Sequence, residues 1–255
     1  MKSLEESILE SMDGSDPHLF SFLPYMLQDL WEIGTDPSIV ISLIKDQFDN
    51  YNTLKVLDLG CGKGAVSIQI AKNLGCRCHG IDGMENFINK AREIAGREHV
   101  SDLCYFEVDD IRAMDLTSTY DVIVLGAIGP VLGDHYHTLT KLAPLLNPNG
   151  GVILDEAYIA DDKDPEDGVY CRAEILDSIE RAGMIIKKEH IISPEHIAQV
   201  DQFMYSMISQ RCSELMKKYP DKEQLFYNYL KAQREENKIL ENHLTCSTML
   251  ITHRI

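Results

Sequence analysis

Short apolar runs alternate with longer segments of helical periodicity from Lys55 to the end of the chain. Runs of four to eight apolar residues bounded by glycine or polar residues are typical of buried strands. Strands that alternate with helices favour βαβ units, a parallel sheet and right-handed crossovers. The pattern predicts strands at 55–60, 77–82, 103–109, 121–126, 151–156, 184–193 and 246–254.

Helices are predicted in the gaps between these strands. Residues 85–95 carry apolar side chains at helical spacing and precede Gly96, and residues 172–182 do the same before Gly183. Glycine directly after a periodic segment is a common helix end. We therefore expect one helix in each interval.

Two segments fall outside this alternation. Residues 1–50 contain helix signals at 3–12, at 17–33 and after Asp36-Pro37. Residues 194–244 read as two long helices broken at Tyr219-Pro220, with methionine and aromatic stripes that are usually core. We expect an N-terminal helical cap over 1–50 and a second domain over 51–255 with an insertion at about 194–244. Both extra segments are expected to lie near the acceptor pocket.

The segment from Lys55 to Ala71 joins a strand, a glycine-rich turn and a helix start. Gly60, Gly62 and Gly64 follow the strand, and the absence of Cβ atoms lets a ligand approach the backbone. As G-x-G-x-x-A the turn also fits a dinucleotide site, where a helix N-terminus receives pyrophosphate. Asp58 favours a different ligand, because a carboxylate beside the turn repels a diphosphate and suits an ammonium group.

The string VLDLGCGKG resembles motif I of the class I S-adenosylmethionine (SAM) dependent methyltransferases. The resemblance implies a Rossmann-like sheet of order 3-2-1-4-5-7-6 with the last strand antiparallel. It also implies that Asp82 binds the two ribose hydroxyls, whereas alone it would be a solvated strand-end acid. Asp110 and Ile111 match the adenine motif, with Asp109 one step away as an alternative. The implied cofactor contacts are Asp58, Gly60, Cys61, Gly62, Gly64, Asp82, Gly83, Met84, Asp110, Ile111 and Gly126.

Methyl transfer from SAM mainly requires alignment of the acceptor, but a protonated oxygen or nitrogen acceptor also needs a base. We place His135 first among the candidates, because the loop Gly126 to Gly133 is able to present it toward the cofactor. The alternatives are His18, Tyr25, His137, Asp155, Glu156 and Tyr158.

Composition narrows the acceptor. The 255 residues carry a formal net charge of −17, which opposes binding to phosphate backbones and argues against a nucleic-acid acceptor. The acidic segment 161–167 is expected to be a solvated loop.

No stretch has transmembrane length or the pattern of a secretory signal, so a cytoplasmic location is expected. Seven cysteines and nine histidines lack ligand spacing, so no metal is expected.

The sequence thus predicts a SAM-dependent methyltransferase that acts on an O or N atom of a small molecule. A non-catalytic SAM- or S-adenosylhomocysteine (SAH) binding sensor or scaffold is the alternative, followed by an NAD-linked oxidoreductase. The acceptor, the need for a base and the oligomeric state stay open at this stage.

Overall fold

A computed structural model describes residues 2–160 and 169–254, so the acidic segment 161–167 lies outside the described residues. Seven strands form one sheet of order 3-2-1-4-5-7-6, in which β6 and β7 are antiparallel. The predicted fold and strand order are therefore confirmed. The strands are β1 (Lys55–Leu59), β2 (Arg77–Asp82), β3 (Cys104–Val108), β4 (Tyr120–Leu125), β5 (Leu146–Tyr158), β6 (Met184–Ile191) and β7 (Thr245–His253).

The helices follow the predicted alternation. They are α1 (Leu4–Glu10), α2 (Leu23–Met26), α3 (Pro37–Gln47), α4 (Ala65–Leu74), α5 (Glu85–Arg97), α6 (His135–Leu142), α7 (Arg172–Arg181), α8 (Pro194–Lys218) and α9 (Glu223–Asn242). The continuous helix expected over 17–33 is wrong: a 3-10 turn at Pro17–Phe22 precedes the short α2, and the chain then leaves helical geometry. None of the described helices is both long and apolar enough to cross a membrane.

The sheet core explains why β1 and β4 are nearly all apolar. Both strands are central, and Leu57, Leu59 and Ile123 are fully buried. At the amino ends of these strands, Asp121 accepts hydrogen bonds from the backbone N–H of Lys55 and from the Asn147 side chain, each at 2.8 Å. Asp121 therefore has a structural role, at the edge opposite to the glycine turn.

The chain divides into two compact units. The sheet unit contains residues 32–191 and 247–255, and the helical unit contains residues 1–31 and 192–246. The unit boundary thus falls at Trp31 and not at residue 50. The reason is that α3 buries Val40, Leu43 and Ile44 and packs against α4 within the sheet unit.

Within the helical unit, the N-terminal residues and the insertion share one core. The Phe22 ring contacts the Phe226 ring edge-on, with centroids 5.1 Å apart. Tyr25 donates a 2.6 Å hydrogen bond to Glu214, and the Cys212 thiol lies 3.6 Å from the Met26 sulfur. The N-terminal residues and the insertion therefore depend on one another for the burial of their apolar side chains.

Candidate functional site

The glycine turn is tied to the neighbouring strand by its backbone. The N–H groups of Gly60 and Cys61 both donate to the carbonyl of Ile81, at 2.8 and 3.0 Å, and Gly64 donates to Cys61 at 2.8 Å. Gly60, Gly62 and Gly64 have φ values of 69°, 53° and 73°. These left-handed conformations are open to glycine at little cost, so the turn needs its glycines for its shape.

The three glycines differ in what surrounds them. A Cβ at Gly60 would lie 2.9 Å from Ile128, and one at Gly64 would lie 2.7 Å from Phe106. At Gly62 a Cβ would meet nothing within 4 Å among the described residues. Gly60 and Gly64 therefore allow close packing, whereas Gly62 borders open space of the kind that a ligand fills.

Asp58 lies at the end of β1 and is only 3% exposed. Its Oδ2 accepts hydrogen bonds from both the hydroxyl of Ser67, at 2.6 Å, and the Ser67 backbone N–H, at 3.2 Å. Burial raises the pKa of Asp58 to about 6; the Ser67 bonds oppose this shift and the charge of Asp82 adds to it. Both of these hydrogen bonds fall on Oδ2.

Asp82 ends β2 and closes the turn from the other side. Its Oδ2 accepts from the Gly62 N–H at 2.9 Å, and its Oδ1 accepts from the Met84 N–H at 2.8 Å. Burial raises the pKa of Asp82, and these two bonds oppose the shift. A carboxylate has about four acceptor positions, so it can also accept from two ligand hydroxyls. The geometry is compatible with the predicted ribose contact.

The two acids of the predicted adenine motif, Asp109 and Asp110, differ in their hydrogen-bond partners. Asp110 forms a forked ion pair with Arg112, with Nη2–Oδ2 at 2.7 Å and Nε–Oδ1 at 2.9 Å. The bonds from Arg112 lower the pKa of Asp110. Asp109 is exposed, and its Oδ1 accepts from the Asp110 N–H. Ile111 is buried in the sheet core. Because Arg112 already occupies Asp110, Asp109 is the freer acid for a ligand.

The remaining predicted contacts shape the turn and the end of β4. Met84 is buried at the start of α5, directly after Gly83. Burial and the nearby Asp58 and Asp82 charges raise the pKa of the Cys61 thiol well above its usual range, which disfavours a thiolate there. A Cβ at Gly126 would clash with the Thr35 hydroxyl. Gly126 therefore makes room for a side chain of the sheet unit.

His135 is the first residue of α6 and is only 7% exposed. Its Nε2 is hydrogen-bonded to Glu156 Oε2, and its ring packs edge-on against Tyr170 with centroids 4.9 Å apart. Its Nδ1 is buried and has no hydrogen-bond partner in the described part of the chain. Glu156 lies two residues past Leu154 of β5, so this pair is at the carboxyl edge of the sheet.

The alternative bases are engaged elsewhere. Asp155 accepts from Thr248 at 2.6 Å, and desolvation of its carboxyl raises its pKa. Tyr158 donates to Glu189 at 2.8 Å. His137 is an exposed partner of the helix cap Asp134. In the helical unit, His18 bonds Asp16, and Tyr25 bonds Glu214.

Three residues of this site are not predicted from the sequence. Ser67 holds Asp58, Arg112 holds Asp110, and Thr35 lies over the end of β4, where its Oγ1 accepts from the Ala127 N–H at 3.3 Å. A serine in the first turn of a helix and an arginine two residues after an aspartate are only weak local signals of a hydrogen bond to a nearby carboxylate. Thr35 has no local signal, because it is far from the strand in sequence.

The donor set fits the cofactor that the sequence resemblance implies. A sulfonium nucleoside with an amino-acid tail offers an ammonium group, two ribose hydroxyls and no phosphate. The site provides a buried carboxyl at Asp58, a second carboxyl at Asp82 and open space at Gly62. Two adjacent acids would repel a pyrophosphate.

Known proteins support the same interpretation. A model of the family described as methyltransferase domain matches residues 51–243. The chain is 30% identical over 112 residues to carboxy-S-adenosyl-L-methionine synthase from Glaesserella parasuis, covering 42% of this chain and 46% of that protein. It is 29% identical over 113 residues to malonyl-acyl-carrier-protein O-methyltransferase from Bacillus cereus, covering 44% and 40%. The chain thus spans less than half the length of these two relatives.

A crystal structure of a SAM-dependent methyltransferase from Geobacter sulfurreducens, in complex with SAH, shares the fold. Its TM-score is 0.76 at 17% identity, covering 92% of this chain and 98% of that chain. The family match spans well over half of the sequence. The prediction from motif I is confirmed, and the dinucleotide interpretation of the turn is not supported. The chain belongs to the class I SAM-dependent methyltransferase family.

Proposed function

We propose that the protein transfers the methyl group of SAM to an oxygen or nitrogen atom of a small molecule. The observation that carries this proposal is His135, a buried imidazole at the carboxyl edge of the sheet with an unpartnered Nδ1. Open α/β sheets bind their ligands outside the carboxyl ends of the strands. An O–H or N–H acceptor must lose a proton, and a base positioned there can accept it.

In this proposal Asp58 holds the ammonium group of the cofactor, Asp82 holds the ribose, and Asp109 or Asp110 contacts the adenine. Gly62 and the backbone around Met84 give the cofactor access to the turn. When bound, SAM supplies an electrophilic methyl group, whose bond to sulfur breaks with its electron pair going to sulfur. The protein aligns the acceptor and takes its proton, and alignment alone supplies about 7 to 11 kcal/mol.

The acceptor class follows from charge. A net charge of −17 disfavours polyanions such as nucleic acids. One relative is a methyltransferase of malonyl-acyl-carrier protein, so an acceptor tethered to a carrier protein is the second case to test.

We also propose that the helical unit is required for transfer to the acceptor but not for SAM binding. Val200 and Phe203 are exposed on α8, the latter by 57%, although they belong to an apolar stripe. Replacing only 194–244 by a linker would strip Phe22 and Met26 of their packing partners. The informative truncation therefore removes both 1–31 and 192–246. It is expected to keep SAM binding within about tenfold and to lose transfer to the acceptor, because the glycine turn and Asp82 stay intact.

The activity is tested by incubating the protein with methyl-labelled SAM and fractionated metabolite pools, with and without acyl-carrier protein. The expected result is one labelled small-molecule product that is lost in His135→Gln, with a rate reduction of about 10² to 10⁴. SAM binding without any labelled product would favour the sensor alternative. Mass spectrometry of the cofactor would detect carboxy-SAM, the product that the name of the G. parasuis relative indicates.

A further inference from the structure

The partner of His135 is held as firmly as His135 itself. Glu156 Oε1 accepts a 3.1 Å hydrogen bond from the Ala157 backbone N–H, while Oε2 bonds the imidazole Nε2. The Asp134 side chain caps the first turn of α6 through the His137 N–H at 2.8 Å and so fixes the backbone at His135. The pair is therefore positioned by secondary structure on both sides.

This contact decides which ring nitrogen carries the proton. An ionised carboxylate can only accept hydrogen bonds, so Nε2 must be the donor. A neutral imidazole with its proton on Nε2 has a free lone pair on Nδ1. Tyr170 packs edge-on against the ring, which hinders a ring flip that would exchange the two nitrogens.

Without a bound acceptor molecule, the unpartnered lone pair on Nδ1 lowers the stability of the folded protein. Nδ1 is buried and no described residue donates to it. A buried acceptor without a partner costs about 1 to 3 kcal/mol. An O–H or N–H group of a bound acceptor would supply the missing bond, so the site is arranged for a ligand that donates a proton.

We propose that Glu156 is a positioning residue that keeps His135 in its Nε2–H form and thereby makes Nδ1 the proton acceptor in methyl transfer. This inference rests on the proposed function. The O–H or N–H bond of the acceptor breaks, its proton moves to Nδ1, and its electron pair forms the new bond to the methyl carbon. The resulting imidazolium is then ion-paired with Glu156 until solvent takes the proton.

The tautomer can be measured without an acceptor. Long-range nitrogen–proton NMR on the full chain labelled with ¹⁵N-histidine, with SAH present, distinguishes Nε2–H from Nδ1–H rings, and the spectrum of His135→Gln assigns the signal. The wild type is expected to show the Nε2–H form. Glu156→Gln is expected to give a mixture, because a carboxamide both accepts and donates. Glu156→Asp, which keeps a carboxylate, is the second variant if Glu156→Gln is unstable, and it should retain more of the wild-type form.

Glu189→Gln is the matched control. Glu189 is a partly buried carboxylate of the same unit, bonded to Tyr158 and Arg172. Its replacement should leave the His135 tautomer unchanged. SAH affinity should change less than about twofold in all of these variants, since none touches the glycine turn. With the acceptor from the screen, Glu156→Gln should lower kcat by about tenfold or more with little change in KM for SAM.

The outcomes separate the two proposals. An Nδ1–H ring in the wild type, or an unchanged tautomer and kcat in Glu156→Gln, would overturn the role of Glu156 even if methyl transfer is found. An acceptor screen without product would overturn the proposed function and leave the tautomer result standing on its own.

Discussion

The sheet unit contains a buried acid and the helical unit a half-buried one, each with a pKa raised to about 6, but the surroundings differ. Asp58 in the sheet unit receives two hydrogen bonds from Ser67. Asp201 in the helical unit is raised by burial and then by the charges of Glu241, Glu236 and Asp13. Its Oδ2 has no hydrogen-bond partner among the described residues.

The difference lies in which structural elements supply the neighbours of each carboxyl. Ser67 belongs to the helix that the glycine turn starts, so donor and acid are delivered by the same strand–turn–helix element. Asp201 lies on α8 and its acidic neighbours come from other segments of the helical unit. At neutral pH the charge on either acid opposes folding, but the Ser67 bonds reduce this cost at Asp58, whereas neighbouring acids add to it at Asp201.

The largest expected effect tests the open space in the sheet unit. Gly62→Val should reduce SAM affinity by more than about a hundredfold, because the new side chain fills the space at the turn. Gly183→Val is the control: Gly183 also has a positive φ, 74°, and in the described part of the chain nothing lies within 4 Å of a Cβ placed there. Both variants bear a backbone strain of about 1 to 3 kcal/mol. Calorimetry showing equal losses of SAM affinity would mean that strain, and not cofactor contact, is responsible.

A smaller effect is expected at the ribose position. Asp82→Ala should weaken SAM binding by about 1.5 to 3 kcal/mol, the usual scale for hydrogen bonds to a charged group. This corresponds to a loss of about tenfold to 150-fold in Kd. Asp82→Asn keeps one acceptor oxygen for the turn, so its SAM affinity should lie between those of the wild type and Asp82→Ala. Normal SAM binding by the folded Asp82→Ala protein would show that the ribose is bound elsewhere.

The pH dependence of SAM binding tests the state of Asp58. With a pKa of about 6, Asp58 is ionised at pH 7.5 and protonated at pH 5. If the bound ammonium requires the carboxylate, affinity falls as pH drops below 6, by up to about tenfold per pH unit for one proton. Asp58→Asn should bind weakly and without this slope. A flat profile for the wild type between pH 5 and 7.5 would rule out the ammonium contact.

The smallest expected effect concerns the helical unit. The folded-state pKa of Asp201 is about 6, above the ordinary aspartate value of 3.8, so the folded state binds the proton more tightly. Its stability contribution is present at low pH and is lost as pH rises from about 4 through 6. Asp201→Asn should therefore stabilise the protein at pH 7 by on the order of 1 kcal/mol, and the gain should vanish near pH 4.

The exposed Asp221→Asn is the control for Asp201→Asn, since it removes an acid of the same unit without burial. Thermal unfolding at pH 4 and pH 7 compares the two. Equal gains at both pH values would show that Asp201 is not a buried, repelled charge.

Much of the sheet unit could be predicted because its signals are local. The strand of apolar residues, the glycines and the apolar helix face fall within Lys55 to Gly75, and α4 begins and ends where its glycines predict. Motif I then implied the sheet order. The continuous helix expected over 17–33 does not form, because Pro17 and Pro24 each lie at the start of a separate short turn.

By itself, the sequence determined the family and the acids at the ends of β1 and β2, since their signals lie within a few residues of one another, and the strand order followed from the resemblance to the family. Only the tertiary structure decided that Arg112 occupies Asp110, that Glu156 holds His135 and that residues 1–31 join 192–246 in one core. Of these, the His135–Glu156 contact and the shared core join residues far apart in the chain. Such contacts depend on how strands and helices are placed in space, and no local pattern of apolar and polar residues encodes that placement.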